Sequence, residues 1–266
     1  MIPWVYGVAP DLIEFYTERY DEAERLRRTP HGRLEFARTK ELILRHLPTD
    51  SCHIVDIGGG PGAHAHWLTK LGHRVTLIDL VPAHVRQAEE LPGVQAAVGD
   101  ARRLDIQTDT ADAVLLLGPL YHLLERGDRV AALREARRVS RPGAQLYAAA
   151  VSRYAPLLDF ARQGLLNETT VPLAREVLES GYHPRELGFT AAHFHTVDEL
   201  VGEVQAAGFR DIEIFGVEGP AWLALDAHGL ERVEDLLPSA MVCARAVESD
   251  PRMLATSAHL LAIAIA

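Results

Sequence analysis

IVDIGGGPGAHAHWL, residues 54–68, decides how the rest of the chain reads. A strand-like apolar run leads into four glycines within five positions, Gly58, Gly59, Gly60 and Gly62, and an amphipathic segment follows. A strand, a glycine-rich turn and a helix together form a nucleotide-binding device, because the helix N-terminus offers unpaired backbone N–H groups.

Strands and helices alternate outward from this turn. Strand patterns cover 52–57, 74–79, 94–100, 111–118, 145–152, 209–217 and 256–266, with helical patterns at 61–71, 82–91, 127–139 and 197–207. Near-continuous apolar strands alternating with helices indicate a parallel sheet covered on both faces. Two stretches break the rhythm. Residues 11–27 and 33–47 read as a helix pair interrupted at His31-Gly32, and 153–195 reads as two helical stretches with no strand between them. The expectation is one α/β domain over 1–266: an N-terminal helical lid (1–47), a cofactor-binding half (51–152), a helical insertion over the substrate (153–195) and the remainder of the sheet (196–266). Both insertions could fold over the strand ends, where ligands of open α/β sheets bind.

Composition limits the partners. The chain has 266 residues, 48% of them hydrophobic, and a net charge of −10. It can bury a sizeable core, and its field repels phosphate backbones and anionic membranes. Cys52 and Cys243 lack metal-ligand spacing and read as reduced thiols. No signal-peptide pattern opens the chain, and no apolar run approaches a membrane span. A cytoplasmic protein, monomeric or homodimeric, that binds neither nucleic acid nor membrane is expected.

D-I-G-G-G-P-G fits two fingerprints. As G-x-G-x-x-(G/A), Gly58, Gly60 and Ala63 suit a dinucleotide. As (D/E)-x-G-x-G-x-G, Asp56, Gly58, Gly60 and Gly62 resemble the first motif of S-adenosylmethionine-dependent methyltransferases. Asp79, 21 residues after Gly58, can meet ribose hydroxyls in either case, or be a surface carboxylate. Gly99-Asp100-Ala101 places a carboxylate beside a small residue where, in the methyltransferase arrangement, an adenine amino group would be recognised; Asp100 could instead cap a turn. Asp56 is an acid within the first strand, and its burial needs a partner; a dinucleotide enzyme usually has an apolar residue there. The balance favours S-adenosylmethionine.

The stretches IVDIGGGPG, VTLIDL, VGDARRL, ADAVLLLGPLYHL and RVSRPGAQL resemble, in order and spacing, the class I (Rossmann-like) S-adenosylmethionine-dependent methyltransferases over about residues 34–266. FHTVDELVGEVQAAGF and VEGPAWL look like the C-terminal part of the bacterial small-molecule branch, common in specialised metabolism. The resemblance implies a seven-stranded, doubly wound, mostly parallel sheet with the last strand antiparallel and helical lid insertions. It implies S-adenosyl-L-methionine as cofactor, S-adenosyl-L-homocysteine as product and a small-molecule methyl acceptor, an aromatic or amine-containing specialised metabolite with an O, N or ring C nucleophile. The cofactor contacts it implies are Asp56, Gly58, Gly59, Gly60, Gly62, Asp79, Leu80, Asp100, Ala101 and Leu117.

Methyl transfer is an in-line displacement, which asks for positioning, water exclusion and sometimes a base. Gly118-Pro119-Leu120-Tyr121 lacks the polar residue that amino-group methyltransferases acting on adenine or glutamine carry there, which argues against those substrates. Tyr121 and His122 are the catalytic candidates, His122 as a base near neutral pH; the plain alternative is two side chains packed at a loop-to-helix junction. Tyr16 and Tyr20 lie one helical turn apart. They are either core or lid, with Tyr20 toward the methionine end of the cofactor and Tyr16 toward substrate. Arg38 could pair with the cofactor carboxylate, Glu218 could grip an amine or remove a proton, and Trp4 and Trp222 could face an aromatic substrate; Trp67 reads as core. His64/His66 and His193/His195 are spaced i, i+2, which on a helix separates the rings, so no metal is expected. The rival reading is a non-catalytic S-adenosylmethionine-binding partner or sensor.

Overall fold

A computed structural model describes residues 10–19, 22–185 and 190–266. Seven strands form the main sheet: β1 (His53–Ile57), β2 (Arg74–Asp79), β3 (Val94–Val98), β4 (Ala111–Leu116), β5 (Ser140–Val151), β6 (Arg210–Gly216) and β7 (His259–Ile265). Their order is β3-β2-β1-β4-β5-β7-β6. The first five pair in parallel, while β7 runs antiparallel to both β5 and β6. This is the doubly wound sheet with a reversed last strand that the motifs imply.

Helices α1 (Pro10–Glu14), α2 (Glu22–Arg28) and α3 (Pro30–His46) precede the sheet, with a π-helical turn at Phe15–Arg19. Between strands come α4 (Ala63–Lys70), α5 (Pro82–Glu89), α6 (Pro119–His122), α7 (Arg126–Val139), α8 (Ala155–Gln163), α9 (Thr170–Ser180) and α10 (Val197–Ala206). The sequence pattern assigns no helix or strand between 218 and 255; the structure holds α11 (Ala221–His228) and α12 (Val233–Val247) there. Pro238 inside α12 explains part of the difference, since proline ordinarily marks a helix boundary.

Strand alternation sorts the core into two layers. On one face Val55, Ile57, Leu116 and Leu146 pack with Leu133 of α7 and Leu200 of α10. On the other, Ile54, Leu77, Leu115 and Leu261 pack with Leu42 and Ile43 of α3 and Leu68 of α4. Strands clad on both sides cannot show the polar alternation of a half-exposed sheet, hence their apolar runs.

Three local expectations are corrected. His31-Gly32 lies inside α3. The break is Thr29, the N-cap, whose hydroxyl accepts from Gly32 N at 3.1 Å, with Pro30 at the first helical position. The strand expected over 145–152 begins earlier, at Ser140, with Arg141-Pro142-Gly143 as an excursion within it: Ser140 pairs with Ala111, and pairing resumes at Gln145 with Ala113. Segment 153–195 contains a short antiparallel ladder, Tyr182–His183 with Ala192–His193, besides α8 and α9. That extended backbone places the His193 and His195 rings 4.7 Å apart, where a helix would have separated them. Among the described residues no helix is long and apolar enough to cross a membrane.

Candidate active site

The carboxyl ends of β1, β2 and β4 open onto a cavity beneath the N-terminal helices, the usual ligand position in an open α/β sheet. The turn after β1 forms its floor. Gly58 adopts φ +70°, and a Cβ there would lie 2.5 Å from Pro119 Cγ, so the two loops meet only because the side chain is absent. A Cβ on Gly59 would lie 2.6 Å from Asp56 Oδ2. Leu80, Gly99, Asp100, Ala101 and Leu117 line the cavity with Asp56, Gly58, Gly59, Gly60 and Asp79. Gly62 caps α4 outside the lining and packs against Leu91.

Asp79 ties the turn to β2. Its Oδ2 accepts from Gly60 N and its Oδ1 from Val81 N, both at 2.8 Å, with His84 Nδ1 at 3.2 Å from Oδ1. Asp100 accepts from the Arg102 backbone N–H at 2.9 Å and pairs with its guanidinium at 2.7 Å. It therefore caps a turn and lines the cavity at once, so the two readings of this residue are compatible.

Asp56 is 1% exposed, and its Oδ2 has no hydrogen-bond partner. Burial, and then the neighbouring Asp79 charge, push its carboxyl up to about 7. An orphaned acid beside a glycine cradle suits a ligand that brings positive charge, as the sulfonium and ammonium of S-adenosylmethionine do. A cation arriving there lowers the Asp56 pKa, so binding near pH 6.5 should release a proton. Calorimetry in buffers of different ionisation enthalpy should show that release in the native protein and its loss in Asp56→Asn.

Tyr121 and His122 lie on α6, directly after β4, and both line the cavity. His122 Nε2 is 2.9 Å from the Tyr16 hydroxyl and its Nδ1 is 3.1 Å from Thr190 Oγ1. The histidine thus joins the N-terminal helices to the 153–195 segment. Burial pushes its imidazole down to about 3, so it is a neutral hydrogen-bonding group rather than a base titrating near neutral pH. Tyr16 lines the cavity; Tyr20 and Trp4 lie outside the described residues. Among the described residues of 153–195 none lines the cavity, and Thr190 meets its wall at His122.

Three further candidates do not reach the cavity. Arg38 is fully enclosed, donates to Val217 O at 3.2 Å and Glu41 at 2.7 Å, and pairs with Glu248. It clamps α3 to the C-terminal elements instead of meeting a cofactor carboxylate. Trp222 packs with Leu34, Leu225 and Val233 and donates to Thr256 O at 3.0 Å. Glu218 is also fully enclosed and holds Ser257 and His259.

The cavity instead includes Glu22, Arg25, Glu35 and His259, which no sequence motif indicates. Arg25 forks onto Glu35 with two 2.8 Å bonds and donates to Glu22 at 2.8 Å. Glu22 and Arg25 are spaced i, i+3, a pattern equally common on solvated helix faces. Only the approach of α2 to α3 makes these charges cavity walls.

Residues 54–143 match a family model described as a methyltransferase domain. That match covers β1 through β4, and the fold and motifs around it are similar to those of the class I S-adenosylmethionine-dependent methyltransferases. It is 29% identical over 178 residues to a ubiquinone biosynthesis O-methyltransferase of Methylobacterium nodulans, covering 65% of this chain and 66% of that one. It is 27% identical to a ubiquinone/menaquinone biosynthesis C-methyltransferase of Acidiphilium cryptum, covering 68% and 75%. Among the first O-methyltransferase relatives the share of their own length covered falls from 66% to 48%. A solved S-adenosylmethionine-dependent methyltransferase of Thermotoga maritima, described as a possible histamine N-methyltransferase, superposes with a TM-score of 0.59 at 17% identity. That superposition spans 96% of this chain and 97% of that one.

Proposed function

We propose that the protein transfers the methyl group of S-adenosyl-L-methionine to a small aromatic acceptor, at a hydroxyl oxygen or an electron-rich ring carbon. The carrying observation is the convergence of Asp56, Gly58–Gly60, Asp79 and Asp100 on one cavity, with the Asp56 oxygen unpartnered. In this reading Asp79 holds the ribose, Asp100 the adenine amino group, and the glycine turn with Asp56 the methionine end. When bound, the cofactor supplies an electrophilic methyl on sulfur, which leaves S-adenosyl-L-homocysteine once the new bond has formed. The chain's own share is positioning and water exclusion, served by Tyr16, Tyr121 and His122 across the mouth of the cavity. The relatives named for quinone biosynthesis support an aromatic acceptor and leave both O- and C-methylation open. The resemblance to the specialised-metabolism branch supports a free small molecule, and the net charge of −10 disfavours nucleic acid. A cytoplasmic monomer or homodimer fits this role.

Calorimetric titration with S-adenosylmethionine, S-adenosylhomocysteine and NAD, followed by transfer of labelled methyl to a panel of small phenols, tests the proposal. Micromolar binding of the first two ligands, none of NAD, and labelled product are expected. Cofactor binding without transfer to any acceptor would favour the sensor reading. Binding of NAD alone would end both.

A further inference from the structure

Three strand positions from β1, about 14 Å at the usual inter-strand spacing, the cavity wall reaches His259, the first residue of β7. Its Nδ1 lies 2.5 Å from Glu218 Oε1. The other Glu218 oxygen accepts from Ser257 Oγ at 2.6 Å and from His259 N at 2.9 Å, so this enclosed carboxylate is fixed from three directions. Glu35 Oε2 stands 3.9 Å from the same ring nitrogen and is itself held by the Arg25 fork. With Nδ1 committed to Glu218, Nε2 is the ring atom left for a ligand. The side chain keeps 18% exposure on the cavity wall.

Glu35, Glu218 and His259 bring one ligand-type atom each to within 4.8 Å of one another. A metal would have to displace Arg25 from Glu35 and break the Glu218–His259 bond. The cluster's own cations already compensate its carboxylates. Beside the Arg25–Glu35 pair the cluster presents the His259 imidazole to the cavity, whose wall also includes the apolar Ala149 and Val217.

We propose that His259, oriented by Glu218, takes the hydroxyl of a phenolic acceptor and holds its oxygen as the phenolate. The inference rests on the methyltransferase reading above and names the acceptor class for that site. The O–H bond breaks with its electron pair left on oxygen, and one proton stays between that oxygen and Nε2. Burial alone would lower the imidazole pKa, but Glu35 and Glu218 outweigh it and a smaller opposing effect of Arg25, holding the ring protonated up to about 9. Glu218 faces the ring from the segment before α11, Glu35 from α3 and Arg25 from α2. At neutral pH the ring is therefore an imidazolium, and the phenol's own proton leaves to solvent; above about pH 9 the neutral Nε2 takes it directly. An ammonium acceptor would meet a like charge here.

The probe is 4-nitrocatechol, whose phenolate absorbs visible light, titrated into protein saturated with S-adenosylhomocysteine. In the native protein the bound dye should ionise at least one pH unit lower than free dye. His259→Gln should abolish that shift and weaken dye binding tenfold or more, and Glu218→Gln should diminish the shift. Affinity for S-adenosylhomocysteine should be unchanged in both. A full shift retained in His259→Gln, or no dye binding to the native complex, overturns the inference. Failure of S-adenosylhomocysteine to bind the native protein would overturn the methyltransferase reading instead. If the variants do not fold, the native protein still answers by NMR. Bound dye must raise the titration midpoint of the His259 ring, and an unchanged midpoint refutes the proposal.

Discussion

Replacing Asp79 by alanine is expected to weaken S-adenosylmethionine binding by about 10- to 100-fold, the loss of charge-assisted hydrogen bonds worth roughly 1.5–3 kcal/mol. Two effects act together. The carboxylate proposed to hold the ribose is gone, and the Gly60 and Val81 N–H groups lose the oxygens that fix the glycine turn. Asp79→Asn keeps an acceptor and should recover part of the affinity. Calorimetry reads the binding, with circular dichroism checking the fold. An unchanged dissociation constant in folded Asp79→Ala would remove this residue from the cofactor site.

The largest effect on stability is expected at Glu203. Its carboxylate receives Arg129 Nη2 at 2.7 Å and Nε at 3.0 Å, with His195 Nε2 at 3.1 Å, and both Glu203 and Arg129 are buried. Arg129 also donates to Leu123 O at 3.0 Å and Leu124 O at 2.6 Å. The pair thus joins α7 and α10 to the residues following α6. Glu203→Ala leaves a buried guanidinium without its counter-charge, a loss of about 3–5 kcal/mol. In a chain of this size that corresponds to a fall in Tm of roughly 10 °C. Replacing both partners by apolar residues should restore much of the difference.

The pH dependence of this pair has a definite sign. Burial alone would raise the Glu203 carboxyl, but His195 and Arg129 hold it down to about 2, below its ordinary value of 4.5. Its stabilisation is therefore complete above about pH 4.5 and is lost as pH falls from there toward 2. Urea melts at pH 7 and pH 3 should show the gap between native protein and Glu203→Ala narrowing in acid. A gap independent of pH would place the stabilisation in packing rather than in the ion pair.

The glycine turn and the strand-end carboxylates that line the cavity were legible because their signals are local. Strand, glycine turn and helix are contiguous, and Asp79 and Asp100 each end a strand whose apolar run is visible. A parallel sheet then carries those ends to one edge. The sheet order itself entered through the family resemblance. Helix breaks were less legible: His31-Gly32 looked like a boundary, yet a capping hydroxyl at Thr29 moves the break upstream of it. His193 and His195 were separated by assuming a helix, and a two-residue ladder brings them together.

What the sequence by itself determined, then, is the alternating α/β plan and the glycine–carboxylate set at the strand ends, since both depend on contacts within or between adjacent elements. Tertiary structure alone decided the remaining walls of the cavity. Arg38, Glu218 and Trp222 turned into packing and clamps, while Arg25, Glu35 and His259 became cavity walls. Glu35 and His259 are separated by more than two hundred residues, yet their side chains lie 3.9 Å apart. No local periodicity records such a meeting. It exists only because α3 packs across the sheet at the edge where the reversed β7 begins, and burial there turns ordinary charged residues into a coupled cluster.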